Sequence, residues 1–354
     1  MKVAVVGGNG NIGFYVAKHL LNLGHDVFCL NRGLSGDIPS GAQHLICDRN
    51  EEQSFISAVR AQGFEMAIDM TCYSAKHSRC SIEAFVGVNH FIACSSVATY
   101  GRRFHSFPVS ESCRANPTTD RNREYAVGKH DADVSFLAAY EEKGFPVTLV
   151  KPSISYGPKM GLLRQIGMDP KFISRIESGR PIIMAGDGIA LHQFMFSDDV
   201  GLAFALLLGK TQTLGQSFNL AQFHPTSWYD YHKTVMEVLG REVEQIGVPA
   251  VVLDRLNRAQ RITLTDIFWE NCHFSTAKLR AVLPEFTPKY TLKEGIALVV
   301  DALKRQNRVV ACANNEWEDE LIDVIRGMQI GEAADQMTGP RKSVLSNLLD
   351  RLKN

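Results

Sequence analysis

The segment Val5-Val6-Gly7-Gly8-Asn9-Gly10-Asn11-Ile12-Gly13 constrains the fold more than any other part of the chain. Its glycines stand at 7, 10 and 13, after a β-branched run that starts at Lys2 and before a helical pattern that runs to Leu23. Without Cβ atoms such a turn can tighten, bring its backbone close to an anion, and open a helix whose free N–H groups point at that anion. A strand, this turn and a helix in that order predict a first βα unit built around a pyrophosphate, with Gly7, Asn9, Gly10, Asn11, Ile12 and Gly13 as the cradle. A glycine turn serving packing alone is the plainer reading, and the strand-helix junction argues against it.

The same alternation continues downstream. Short β-branched runs at 26–31, 44–47, 66–70, 90–94 and 147–151 predict strands, and helical periodicity covers 11–23, 51–62, 76–86 and 123–142. This rhythm predicts an α/β protein with a doubly wound parallel Rossmann sheet, its ligand crevice at the C-terminal ends of the strands. After Pro158 the pattern loosens and Gly/Pro punctuation appears at 179–181 and 186–188. We expect a nucleotide-binding domain over 1–157, with a return segment 194–220 carrying a helix near 196–208 and a strand near 217–220. A smaller C-terminal α/β substrate lobe would take 158–193 and 221–306. The remainder, 307–354, reads as a helical extension with amphipathic stretches at 316–328 and 343–352.

Composition excludes several alternatives. Lys plus Arg and Asp plus Glu both total 38, so no net field draws the chain to nucleic acid or anionic lipid. Small basic clusters at Arg102-Arg103 and Arg121 to Arg123 read as a solvated rim. Eight cysteines show no CxxC pair and no metal-ligand spacing with histidine, so neither a metal nor a disulfide framework is expected. Reduced thiols, no secretory pattern and no bilayer-spanning apolar run point to the cytoplasm.

Three further features carry chemistry. At the end of the second predicted strand, where Asp or Glu would accept from an adenosine ribose, stand Asn31 and Arg32. Losing that carboxylate and gaining a forked guanidinium suits the 2′-phosphate of NADP better than NAD, although NAD stays open. Asp48, closing the third strand, either accepts from the adenine amino group or caps the helix that follows. Tyr125 and Lys129 lie four apart in a helical segment and therefore share a face, where an ammonium favours phenolate and so acid/base work. Cys94-Ser95-Ser96 follows the fifth strand, placing the Ser96 hydroxyl at the crevice to bond a reacting oxygen.

A phosphate-binding turn, a strand-end serine and a YxxxK helix in that order resemble the extended short-chain dehydrogenase/reductase family, which includes sugar-nucleotide epimerases, dehydratases and reductases. Glu111 with Pro117, the run Lys151 to Pro158, and Phe194 to Val200 add to the resemblance, which spans roughly 2–302. It implies a catalytic set of Ser96, Tyr125 and Lys129, with Lys129 also on the nicotinamide ribose, Thr71 beside the cofactor, and Pro152 and Ser155 near the nicotinamide. It implies hydride transfer at a secondary alcohol or ketone of a sugar-nucleotide or secondary-metabolite substrate, giving reduction or oxidation if the keto form leaves and epimerisation if it turns over and takes the hydride back, and a homodimer through the helices at 76–86 and 123–142. Val97-Ala98-Thr99 stand where sugar 4,6-dehydratases carry an acidic pair. His192-Gln193 stand where many relatives hold nucleotide phosphates with arginine, leaving His192 as a candidate substrate contact or a structural histidine. The Asn-Arg-Gly at 31–33 and the Gln before Asp198-Asp199 also resemble a divergent branch with RNA-binding members, which keeps a non-catalytic nucleotide-sensing or RNA-binding reading as the alternative.

Overall fold

The computed structural model describes residues 1–34, 36–102, 104–119, 123–249, 251–253, 255, 268–313 and 317–338, with side chains described as far as 327. Its centre is a seven-stranded, all-parallel sheet. Six strands precede residue 153: β1 (Lys2–Val6), β2 (Asp26–Asn31), β3 (Gln43–Ile46), β4 (Met66–Asp69), β5 (His90–Cys94) and β6 (Val147–Pro152). The seventh, Gln216–Leu220, pairs with β6, so the order runs from this strand through β6, β5, β4, β1 and β2 to β3. The strand order reverses between β1 and β4, which opens a crevice at their C-terminal ends.

Alternation along β1 shows why the sheet must be covered twice: Val3 and Val5 join one core, Ala4 and Val6 the other. On the first face lie α1 (Gly13–Asn22) and the helix Ser197–Leu207. On the second lie α2 (Glu52–Arg60), α3 (Ala75–Ala84) and α4 (Arg123–Lys143). Asp198, at the start of the helix Ser197–Leu207, ties back to α1 by accepting from His19 Nε2 at 2.6 Å and Lys18 Nζ at 3.2 Å. Burial alone would raise the Asp198 carboxyl, but these donors hold it below the usual carboxylate range.

A third core gathers the residues after Tyr156 around Trp228, Tyr231, Phe194 and the helix Leu292–Arg305. Its short strands, such as Ile182–Ala185 paired with Gln245–Val248, were not visible as periodicity in the sequence. The helix Trp317–Thr338 matches the first amphipathic stretch expected in the extension and runs further. The second, 343–352, lies outside the described residues. Among the described residues no helix is long and apolar enough to cross a membrane, and no His/Cys/Asp/Glu group is arranged to hold a metal ion.

Two histidines are held neutral by their burial. His232 Nε2 accepts from the Gln165 N–H at 3.2 Å while Nδ1 donates to Gln245 Oε1 at 3.1 Å, and burial, then Arg164, pushes its pKa down to about 3. His90 Nδ1 accepts from Gly209 N at 2.8 Å, Nε2 donates to Thr148 Oγ1, and burial lowers it to about 4. The unfolded chain binds these protons near pH 6.5 and the folded chain does not, so their contribution is complete above that pH and lost as pH falls towards 4. Denaturant titrations between pH 6.5 and 4.5 are expected to show stability dropping by about 1.4 kcal/mol per unit for each histidine, and His232→Gln is expected to flatten that slope.

Candidate functional site

The crevice begins at the glycine turn. Gly7 has a φ of 80°, a conformation L side chains rarely adopt, and the Thr71 methyl occupies the space a Cβ would need. A Cβ on Gly13 would overlap the Gly7 carbonyl oxygen, so α1 starts in direct contact with the turn. Beside it lies a cleft of about 350 Å³ lined by Gly7, Asn9, Asn31, Arg32, Asp48 and Thr71. Asn31 Oδ1 accepts from Gly33 N at 2.8 Å and His44 Nε2 at 2.9 Å, which leaves its buried Nδ2 without a protein partner. An unmet buried donor costs roughly 1–3 kcal/mol, which an acceptor on a bound ligand would relieve. Backbone cradle, spare amide donor and exposed Arg32 together fit the adenosine end of a dinucleotide.

Asp48 does not cap α2, whose N-cap is Glu51 with no side-chain cap bond; its Oδ1 instead accepts from the N–H and side-chain amide of Asn50, forming a turn ahead of the helix. Its neighbour Arg49, not singled out from the sequence, reaches under the cleft to Asp69, with Nη2 to Oδ2 at 2.7 Å and to Ser81 Oγ at 2.7 Å. Asp69 is fully buried and also accepts from Thr71 N. Burial opposes its charge, yet the Arg49 charge and these hydrogen bonds keep the carboxyl below its ordinary range.

The YxxxK face of α4 lies over the ends of β4 and β5. A Cβ on Gly128 would overlap the Tyr73 carbonyl oxygen, so only glycine lets the helix sit this close to the loop after β4. Lys129 is thereby buried, its Nζ donating to the Cys94 carbonyl at 2.6 Å and lying 4.5 Å from the Tyr73 ring centroid and 5.9 Å from that of Tyr125. Ser96, two residues past Cys94, caps the short turn Val97–Tyr100 by accepting from Ala98 N at 3.2 Å. Ser96, Tyr125 and Lys129 therefore stand on two elements that meet at Cys94, with Tyr73 as an additional aromatic neighbour.

A polar frame holds this corner. Asp133, one helical turn beyond Lys129, accepts from Ser95 Oγ at 2.8 Å and from buried Lys151 Nζ at 2.6 Å, and Lys151 also donates to Thr99 Oγ1. Tyr100 donates to Asn219 Oδ1 at 2.8 Å, and the Asn219 N–H donates to Glu111. The sequence held a signal for Asp133, since i+4 from Lys129 places it on the same face. It held none for Asn219, whose partners come from three distant segments.

Pro152 ends β6 beside Leu220, and Ser155 pairs in register with Met195, so both sit on the strand side of the crevice. His192 is buried among the rings of Phe194, Trp228 and Phe268. Its neighbour Leu191 instead lines a second, larger cleft of about 940 Å³, together with Arg102, Phe104, Phe107, Asp187 and Trp269. Arg102, expected on a solvated rim, is buried because the chain after Tyr100 turns into this cleft. Arg123 is exposed as expected, and Arg103 and Arg121 lie outside the described residues.

Sheet, glycine turn and crevice define a Rossmann-type α/β fold. The model of the NAD dependent epimerase/dehydratase family matches residues 75–221. It is 28% identical over 313 residues to a 2′-dehydrokanamycin reductase of Streptomyces kanamyceticus, covering 87% of this chain and 86% of the relative. It is 25% identical over 234 residues to a chloroplast stem-loop binding protein of Arabidopsis thaliana, covering 62% and 58%. Among solved structures, the Thermus thermophilus UDP-glucose 4-epimerase complexed with NAD superposes with a TM-score of 0.67 at 20% identity, covering 86% of this chain and 99% of that one.

The Asp133–Lys151 pair gives a direct test of the frame. Asp133→Ala strands a buried ammonium and is expected to cost about 3–5 kcal/mol, whereas Asp133→Leu combined with Lys151→Met is expected to recover most of it. Equilibrium unfolding of the single and double variants measures both.

Proposed function

We propose that this chain is an NADP(H)-dependent enzyme of the extended short-chain dehydrogenase/reductase type, which transfers hydride at a secondary alcohol or ketone of a sugar-like small molecule. The observation that carries this reading is the docking of Lys129 on the Cys94 carbonyl, which brings the Tyr125 helix to the serine at the end of β5. Gly7 to Gly13, Asn31, Arg32 and Thr71 would hold the dinucleotide, with Pro152 and Ser155 towards its nicotinamide end and Lys129 near its ribose. The bound dinucleotide supplies or accepts hydride at its nicotinamide ring. Ser96 orients the substrate oxygen. Tyr125 gives that oxygen a proton on reduction or takes one on oxidation, and Lys129 sets a positive charge beside the phenol.

The second cleft suits the rest of the substrate, because aromatic faces such as Phe104, Phe107 and Trp269 stack on sugar rings. Residues 1–157 with 194–220 serve as the cofactor domain and 158–193 with 221–306 as the substrate lobe. A homodimer would use α3 and α4, where Val134 and Tyr140 are exposed. Similarity to a reductase along nearly the whole chain favours net reduction over epimerisation in place, and makes 2′-dehydrokanamycin the first ketone to try. Similarity to a stem-loop binding protein supports one further reading, nucleotide-gated RNA binding, for which Tyr125 would be dispensable.

NADPH oxidation by the purified chain with 2′-dehydrokanamycin and a panel of keto sugars tests the proposal. Tyr125→Phe is expected to lower turnover by about 10²- to 10⁴-fold while leaving NADPH affinity intact. Stem-loop RNA binding that survives this substitution, with no ketone reduced by the wild type, would favour the RNA reading. Arg32→Ala is expected to weaken NADPH by about tenfold and leave NADH unchanged, read by separate fluorescence titrations.

A further inference from the structure

Two of the large cleft's walls are far apart in sequence: the turn from Ala185 to Leu191, and the segment Trp269 to Asn271, which Phe268 precedes. At one end they touch, where Leu191 N donates to Asn271 Oδ1 at 2.9 Å and Cys272 N to the Leu191 carbonyl at 2.8 Å. At the other end Gln165 spans them. Fully buried, it accepts from Ala185 N at 2.8 Å through Oε1 and donates to the Phe268 carbonyl at 3.0 Å through Nε2. A planar amide bonded on both sides leaves little rotamer freedom, so it fixes the distance between the two backbones.

Arg164, the preceding residue, is also fully buried. Its Nη1 and Nη2 meet Glu318 at 3.0 and 2.6 Å, Nη1 meets Asp169 at 2.7 Å, and Nη2 donates to the Ile183 carbonyl at 3.1 Å. Glu318 accepts in turn from the Ile183 N–H at 3.0 Å. Glu318 sits in the first turn of the helix Trp317–Thr338, so the C-terminal extension reaches Arg164, next to Gln165 in the chain, and the strand that feeds the first wall. The helix cannot lift away without leaving a buried guanidinium short of its main partner.

We propose that Gln165 is a positioning residue that sets the separation of the two walls of the substrate cleft, and that Glu318 of the C-terminal helix holds it in place through Arg164. This rests on the reading above that the cleft takes the substrate.

Hydrogen exchange on the full chain, alongside NADPH titration and kinetics with 2′-dehydrokanamycin, tests it in two variants. Gln165→Met removes both bonds, and the Ala185 amide is expected to exchange about tenfold faster or more, with residues 268–270 loosening as well. Gln165→Glu keeps the acceptor but loses the donor, so Ala185 stays protected and only 268–270 loosens. In both variants β5 keeps its protection, NADPH affinity holds, and KM rises about tenfold with kcat within a few-fold of wild type. A protected Ala185 amide in Gln165→Met, or loosening spread equally into β5, would overturn the proposal. So would an unchanged KM in an enzyme that reduces the probe. Should the wild type neither bind NADPH nor reduce any ketone, the functional reading fails instead, and the exchange pattern still decides the role of Gln165.

Discussion

A charge taken out of water has to keep its partner, because the desolvation penalty is returned only while the pair stays intact. In this protein such pairs stand at the junctions between elements. Arg49 with Asp69 joins the loop after β3 to the end of β4, beneath the smaller cleft. Lys151 with Asp133 joins β6 to α4, behind the proposed catalytic corner. Arg164 with Glu318 joins the second lobe to the C-terminal helix, behind the larger cleft. Each pair restricts how two elements can be placed, and each lies under a surface that a ligand would use.

Where charges do not set the spacing, missing side chains do. Gly128 lets α4 close on the loop after β4, and that approach is what submerges Lys129 against the Cys94 carbonyl. Had the helix stood off by the width of a methyl group, the ammonium would reach water and the tyrosine would leave the corner. Gly13 does the same for α1 and the phosphate turn. The site is thus an outcome of backbone contacts, with its polar side chains carried into place by them.

The two clefts divide recognition in a way the fold makes natural. The smaller one lies at the topological switch of the sheet, where parallel strands and helix N-termini converge whatever the ligand's identity. The larger one is built from the turn between the strand ends Ala185 and Leu191, the segment around Trp269 and the chain beyond Tyr100, which are mostly irregular. Chemistry common to relatives would reside in the first region and in the corner beside it. Selectivity would reside in the second, whose walls are loops.

The sequence alone determined the parallel sheet, its helices, the glycine turn and the shared helix face of Tyr125 and Lys129, because each is written in local spacing: period two in the strands, i to i+4 on α4, glycine at a strand-helix junction. Every central strand and all four helices of the first domain lie within about two residues of where periodicity puts them. Tertiary structure alone decided that His192 is buried among aromatic rings, that Arg102 turns inward, that Asn219 closes a network from three segments, and that Gln165 spans a cleft. Those facts depend on which distant residues become neighbours. No local period encodes that, since the second lobe is held by contacts between short, irregular segments whose pairing exists only after the chain has folded.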